Sequence, residues 1–235
     1  MTPAQELYKK LKEDFHFENA QGSVRFNIND FHIVVEQNDI IGNIVEEWLG
    51  KWMNDRGIPN IHNEKQESPD FWLNLDDLNS DWLEVKSFMG SPGFDIAAFR
   101  SFIQLIIDKP YKLQSDYLLI KYTMNDGVVT IDKIWLKKVW EICCTSERFP
   151  IKVQYKNKAI FNIRPATWYS PRAEFKPFES LEDFLAALEQ TIYKYHDTNY
   201  LAENWSERLI KSYKNHYGVE LKIPRWNDIK SKYIE

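Results

Sequence analysis

The sequence lacks the marks of several protein classes. It has no run near the roughly 18 apolar residues that a membrane-spanning helix needs. Met1 to Lys12 show no apolar centre of a secretion signal, so a cytoplasmic protein with no membrane partner is expected. Its 2 cysteines, Cys143 and Cys144, are adjacent; they cannot readily bridge each other and lack zinc-site spacing, which predicts buried thiols. The 5 histidines are scattered, with no H-x-E or H-E-x-x-H pairing, and read as surface or core residues rather than metal ligands. No Gly/Ser linker, Pro-rich tract or internal repeat marks a boundary, so a single domain over residues 1–235 is expected. An excess of positive charge is also missing: the net charge of −5 argues against a phosphate-binding protein.

What is present changes that last point. With 43% hydrophobic and 15% aromatic residues the chain can bury a substantial core. Its charge is uneven. Between Asp132 and Lys176 ten Lys or Arg face four acids, so a basic part can coexist with an acidic remainder. The same distribution also suits a merely uneven, solvated surface.

Periodicity gives the element order. Pro3 to Phe15 reads as a helix and Val24 to Val35 as strand-like. A stripe of Ile41, Val45, Leu49 and Trp52 predicts a second helix, with Asn38 and Asp39 as capping candidates and Gly57 and Pro59 ending it. Phe71 to Leu75 and Trp82 to Phe88 read as strands around the turn residues Asp76 to Ser80. The run from Phe94 to Ile106 suggests a helix, Tyr117 to Met124 a buried strand, Val128 to Ile131 a strand and Lys133 to Cys143 a helix. Ile151 to Ile163 reads as a hairpin, followed by helices near Leu181 to Tyr195 and Leu201 to Tyr217. The expected fold is α/β: a mixed central β-sheet flanked by helices, with an extra hairpin and C-terminal helices.

The chemistry lies in Pro69-Asp70 followed by Glu84-Val85-Lys86. On a strand alternate side chains share a face, so Glu84 and Lys86 point together and Val85 points away. A hairpin centred near Asp77 sets Asp70 opposite Glu84, roughly 5 Å across the ladder. Two carboxylates that close repel unless a cation lies between them, and hard ions such as Mg²⁺ take oxygen ligands with retained waters. Asp70, Glu84 and the Val85 carbonyl are therefore candidate metal ligands. Lys86 is placed to position or deprotonate an attacking water and to offset charge on a phosphorane-like transition state. An Asp at a strand start with a solvated Glu/Lys pair is the structural alternative.

The order helix, S-P-D-F-W-L-N-L, D-W-L-E-V-K-S-F, helix, strand resembles the PD-(D/E)XK nuclease superfamily over roughly residues 38–123. More narrowly, Gly42-Asn43-Ile44-Val45-Glu46-Glu47-Trp48, Ser68-Pro69-Asp70-Phe71 and Pro92-Gly93-Phe94-Asp95-Ile96 resemble the NgoBV/NlaIV group of restriction enzymes. That resemblance implies a restriction-endonuclease-like core over about 38–124, with Asp70 and Glu84 as metal ligands and Lys86 as the catalytic lysine. It implies that Glu46 holds a metal's water or a second ion, although Glu46 and Glu47 equally suit a solvated helix face. It further implies a type II restriction endonuclease cutting double-stranded DNA at GGNNCC. A homodimer follows, because two copies about a twofold axis match a palindromic site.

Candidate DNA contacts are Arg100 and Gln104, at i and i+4 on the helix after the motif, and the hairpin residues Lys152, Gln154, Lys156, Asn157, Lys158 and Arg164. They are the side-chain types that reach phosphates and base edges. They lie in or beside a basic, DNA-recognition part expected over about 132–176, ahead of C-terminal helices over 179–235. A structure-specific repair or resolvase nuclease of the same fold would use the same three catalytic residues. A non-catalytic DNA-binding protein would not need them.

Overall fold

In the computed structural model, residues 1–234 are described apart from Glu36, Asn38, Asp39 and Gln66. The capping expectation for Asn38 and Asp39 lies outside the described residues. The chain divides into two compact units, one of residues 1–92 and 115–137 and one of residues 93–114 and 138–235.

The first unit opens with helix α1 (Pro3–Lys9), capped by the Thr2 and Gln5 side chains in a reciprocal box and continued by one π-helical stretch, Lys10–Asp14. Its strands are β1 (Gln21–Ser23), β2 (Arg25–Ile28), β3 (Phe31–Val34), β4 (Ile61–His62), β5 (Phe71–Trp72), β6 (Trp82–Met89), β8 (Asp116–Asn125) and β9 (Val128–Lys138), the last running one residue past the unit's end. Helix α2 (Ile41–Asp55) lies between β3 and β4 in sequence. A six-stranded mixed sheet runs β1-β9-β8-β6-β5-β4, with β6 parallel to β8 and β5 antiparallel to β6. Leu83, Val85, Leu118, Ile120 and Tyr122 on one sheet face pack with Leu7, Leu11, Val45, Leu49 and Met53 of the helices. Burying each such side chain contributes about 1.5–3 kcal/mol.

In the second unit, β7 (Ala97–Ala98), β10 (Val153–Lys156) and β11 (Ala159–Ile163) form a three-stranded sheet. Its helices are α3 (Phe99–Asp108), α4 (Leu181–Lys194), α5 (Trp205–Tyr217) and the short α6 (Trp226–Ile229). Phe102 meets Phe184 edge-on, and the buried Trp205 donates its indole N–H to the Ile103 carbonyl. Both cysteines are buried thiols as expected, and burial pushes Cys144 up to about 11, which makes it a poor nucleophile.

Four elements differ from expectation. Residues 133–138 continue β9, and only Trp140–Ile142 turns, as a 3₁₀ helix. The Asp126-Gly127 turn, both residues at positive φ, folds β9 back along the ten-residue β8, so sheet pairing prolongs the strand over the local helical pattern. Phe94 to Ile96 precede α3 as extended chain, because the Ile96 N–H donates to Ile163 and Ala97 and Ala98 pair with β11. Strand β5 stops at Trp72, where the Asn74 side chain accepts the Asp76 and Asp77 N–H groups and starts a turn. Val24 to Val35 is a ribbon of two strands, β2 and β3, reversing at Asn29-Asp30.

Candidate active site

Strand pairing builds the site in the first unit. Phe71 faces Leu83 and Trp72 faces Trp82, the register that a hairpin centred near Asp77 dictates, so Asp70 and Glu84 meet on the sheet face opposite the helix-packed core. Lys86 follows on the same face, paired in register with Leu119 of β8. Its ammonium lies 3.6 Å from Asp70 Oδ2 and 3.7 Å from Glu84 Oε2, which brings the three predicted residues together.

Each carboxylate is held from outside. The Val85 N–H donates to Asp70 Oδ2 at 2.6 Å, and the Ser68 hydroxyl donates to Glu84 Oε1. Asn63 fixes the approach to Asp70: its backbone N–H donates to the Asp70 carbonyl at 2.9 Å and its side-chain amide to Pro69 and Glu67. Glu84 is only 3% exposed.

Electrostatics make the cluster hungry for positive charge. Burial, then the neighbouring Glu84 charge, push Asp70 up to about 6, and Glu46 adds to the rise; Lys86 and the Val85 N–H oppose it. Burial pulls Lys86 down, but Glu84, Asp70 and Glu46 outweigh it and hold the lysine above its ordinary value. At neutral pH Lys86 is therefore an ammonium, a donor rather than a base. Among the described residues no three His, Cys, Asp or Glu side chains converge tightly enough to hold a metal. What comes together is instead two carboxylates, both hard oxygen donors. That suits a cation which keeps several waters.

The remaining candidates are distributed as follows. Glu46, on α2, is one-quarter exposed and accepts from His62 Nε2 at 3.1 Å, whereas Glu47 is three-quarters exposed. In the second unit, Arg100 and Gln104 are exposed on α3, and the Arg100 guanidinium donates to the Asp197 carbonyl. Arg164 is engaged by Asp95 and the Gly93 carbonyl, Lys152 donates to the Pro165 carbonyl, and Gln154 accepts from Asn162. Lys156, Asn157 and Lys158 form the exposed tip of the β10–β11 hairpin, with Asn157 and Lys158 at positive φ. Sequence reasoning overlooked Ser68, Asn63 and His62. Ser68 and His62 reach partners 16 residues away, and Asn63 acts through loop backbone, contacts that no local sequence pattern announces.

A strand pair presenting two acids and a lysine on one face of a mixed sheet is the arrangement of a nuclease of the PD-(D/E)XK type. A sequence profile of the NgoBV restriction endonuclease family matches residues 1–233. The type II restriction enzyme NlaIV of Neisseria lactamica is 43% identical over 235 residues, spanning 98% of this chain and 97% of that one. The type II restriction enzyme NgoBV of Neisseria gonorrhoeae is 38% identical over 167 residues, 69% of this chain and 94% of that one. The solved NlaIV restriction endonuclease superimposes with a TM-score of 0.94 at 42% identity, covering 98% of this chain and 96% of that one. This chain belongs to the NgoBV restriction endonuclease family. It is a type II restriction endonuclease, a site-specific deoxyribonuclease with the mixed, helix-flanked sheet of that family.

Proposed function

We propose that the enzyme hydrolyses a DNA phosphodiester at Asp70, Glu84 and Lys86 with Mg²⁺, at the palindrome GGNNCC, as a cytoplasmic homodimer. The carrying observation is the Lys86 ammonium shared between two carboxylates in a chain that its family matches almost end to end. Asp70, Glu84 and the Val85 carbonyl would hold the cation, and Glu46 would accept from one of its waters. The bound ion supplies Lewis acidity at the scissile phosphate and acidifies a water. Lys86, held protonated, donates to a phosphate oxygen and stabilises the charge that builds as a water oxygen bonds to phosphorus, releasing its proton to solvent water, and one ester P–O bond breaks. The departing alkoxide takes its proton from water. Ser68 and the Val85 N–H keep the two carboxylates aimed at one point, which preorganises the centre.

For DNA contact we propose the hairpin tip, Lys156, Asn157 and Lys158, with Gln154 beside it. It projects cationic and amide groups that the fold leaves exposed. Arg100, Gln104, Lys152 and Arg164 would contact the duplex from the same unit. Homodimerisation is supported by the β2–β3 ribbon, whose Phe26, Ile28, Phe31 and Ile33 share one face and are each about half exposed or more. A two-stranded ribbon is marginal in water alone. Arg25 at its base and Asp30 at its tip carry opposite charges, so two ribbons stacked antiparallel about a twofold axis would pair them twice.

Digestion of a sequenced plasmid with run-off sequencing of the ends tests the reading. Discrete fragments ending within GGNNCC are expected. Asp70→Ala should abolish cutting with an unchanged circular dichroism spectrum, and full activity in that variant would end the catalytic assignment. Sedimentation should give a dimer that Phe31→Glu converts to a monomer; a wild-type monomer at micromolar concentration with both strands cut would remove the dimer.

A further inference from the structure

A short turn in the second unit presents one arginine in a fixed pose. Ser146 closes residues 146–149: its backbone N–H donates to the Phe149 carbonyl at 3.1 Å, and its hydroxyl accepts from the Phe149 N–H at 3.2 Å. Phe149 is buried, whereas Arg148 before it is exposed. The Arg148 guanidinium carbon lies 3.6 Å from the ring centroid of Tyr155, on β10, and 5.5 Å from that of Phe149. Both rings are braced by the buried Tyr195, which meets each of them edge-on. A guanidinium stacked this way keeps the N–H groups around its rim available for hydrogen bonding.

A second cation is fastened to the same turn. Lys194, the last residue of α4, donates to the Arg148 carbonyl and stands 5.7 Å from the Phe149 ring centroid. Two positive side chains are thus held on one aromatic support, and among the described residues neither forms an ion pair. The acids nearest in sequence do not neutralise them. Glu147 is exposed and bridges to no cation among the described residues, while the Asp197 carboxylate is taken by the Tyr195 hydroxyl at 2.6 Å and by His196 Nε2 at 2.7 Å. By contrast, Arg164 meets Asp95, Lys214 meets Glu220 and Lys232 meets Asp183. Holding like charges together without a counter-ion costs free energy in the free protein, and an anion beside them would recover it.

We propose that Arg148 and Lys194 form a site for backbone phosphates of duplex DNA, the substrate of this enzyme. The arginine offers a planar, pre-oriented fork that matches phosphate oxygens, and the lysine a point charge beside it. Contacts to phosphates position the duplex without reading its sequence, so the site holds any duplex equally. It is distinct from the hairpin-tip contacts proposed above and does not depend on them.

The test is fluorescence anisotropy of labelled duplexes with the full chain, in chelator at several salt concentrations. Thermal melting checks the fold and a denaturing gel checks that the DNA is uncut. Arg148→Gln and Lys194→Gln should each weaken binding about tenfold, both to a fragment that the enzyme cuts and to one that it does not. Each should also lower the slope of log K against log salt by about 1. Arg148→Lys keeps the charge but loses the stacked plane, so it should hold the slope while weakening binding about two- to fivefold. Lys214→Gln removes a cation already bridged to Glu220 and should change neither quantity. An unchanged slope in either folded Gln variant overturns the proposal, as does an equal fall in Lys214→Gln or in Arg148→Lys. A loss confined to the fragment that is cut also overturns it, since base reading and not phosphate contact would then be at work. Should Arg148→Gln fail to fold, Lys194→Gln on the exposed end of α4 decides by the same criteria. Lys156→Gln with Lys158→Gln separates the two sites: an unchanged slope there removes the hairpin tip and leaves Arg148 and Lys194 standing.

Discussion

Replacing Asp70 by Asn should make the metal-free enzyme less sensitive to pH. The Asn side-chain oxygen can still accept from the Val85 N–H, so the change removes charge and little else. In the folded chain burial and Glu84 raise Asp70 from 3.8 to about 6. Because the folded value is the higher one, the protonated group stabilises the fold fully below pH 4, and that contribution is lost as pH rises through 6. Two units of difference correspond to about 3 kcal/mol, or roughly 6–12 °C in melting temperature for a chain of this size. The proton is shared with Glu84, so the step belongs to the pair. The assay is thermal unfolding in chelator from pH 4 to pH 8, comparing wild type with Asp70→Asn. Wild type should fall relative to the variant across pH 4–6 and run parallel to it above pH 7. Millimolar Mg²⁺ should restore wild type alone. Parallel curves throughout would show that Asp70 ionises freely, and the cost of crowding two carboxylates would not exist.

Lys86→Met should abolish cleavage while Ca²⁺-supported duplex binding, measured by gel shift, stays within about threefold of wild type, because the proposed role of the ammonium is at the reacting phosphate and the side chain is four-fifths covered by protein. Lys156→Gln with Lys158→Gln should weaken binding to all duplexes alike and lower the slope of log K against log salt by up to about 2, as read by fluorescence anisotropy at several salt concentrations. Gly127→Ala should cost about 1–3 kcal/mol in chemical denaturation, since its Cβ would stand 2.1 Å from Val34 Cγ1 at a φ of +72°. Gly57→Ala, with similar φ but open space around it, should cost only about 1 kcal/mol.

How much of this was legible in the sequence depends on how far each residue's partner lies along the chain. The Asp70–Glu84 register was readable because turn chemistry and a two-residue period are local rules, and β5 and β6 obey them. The mixed, helix-flanked sheet was readable from the same periodicity. Residues 133–138 were not. Ile134 and Trp135 fit a helical stripe until β8 is known to run alongside, and a ten-residue neighbour then decides the outcome. The two units left no mark in composition either, since each is assembled from separated segments and one boundary falls inside β9. Arg164 and Arg100 were legible as cations, while their engagement by Asp95, Gly93 and Asp197 depends on partners 69 to 97 residues away.

Strand β6 also shows why the site was visible at all. Trp82, Leu83, Val85 and Phe88 are buried, and a strand selected for folding alone would place an apolar or exposed residue at position 84. Glu84 is instead buried at 3% exposure, close enough to raise Asp70, in an arrangement that penalises the fold whenever both are ionised. Such a penalty persists only where the charge is used. The glutamate that breaks the apolar pattern, with a lysine two residues on and an aspartate across the ladder, is thus where local sequence and folding energetics disagree, and that disagreement supports the proposed reaction centre.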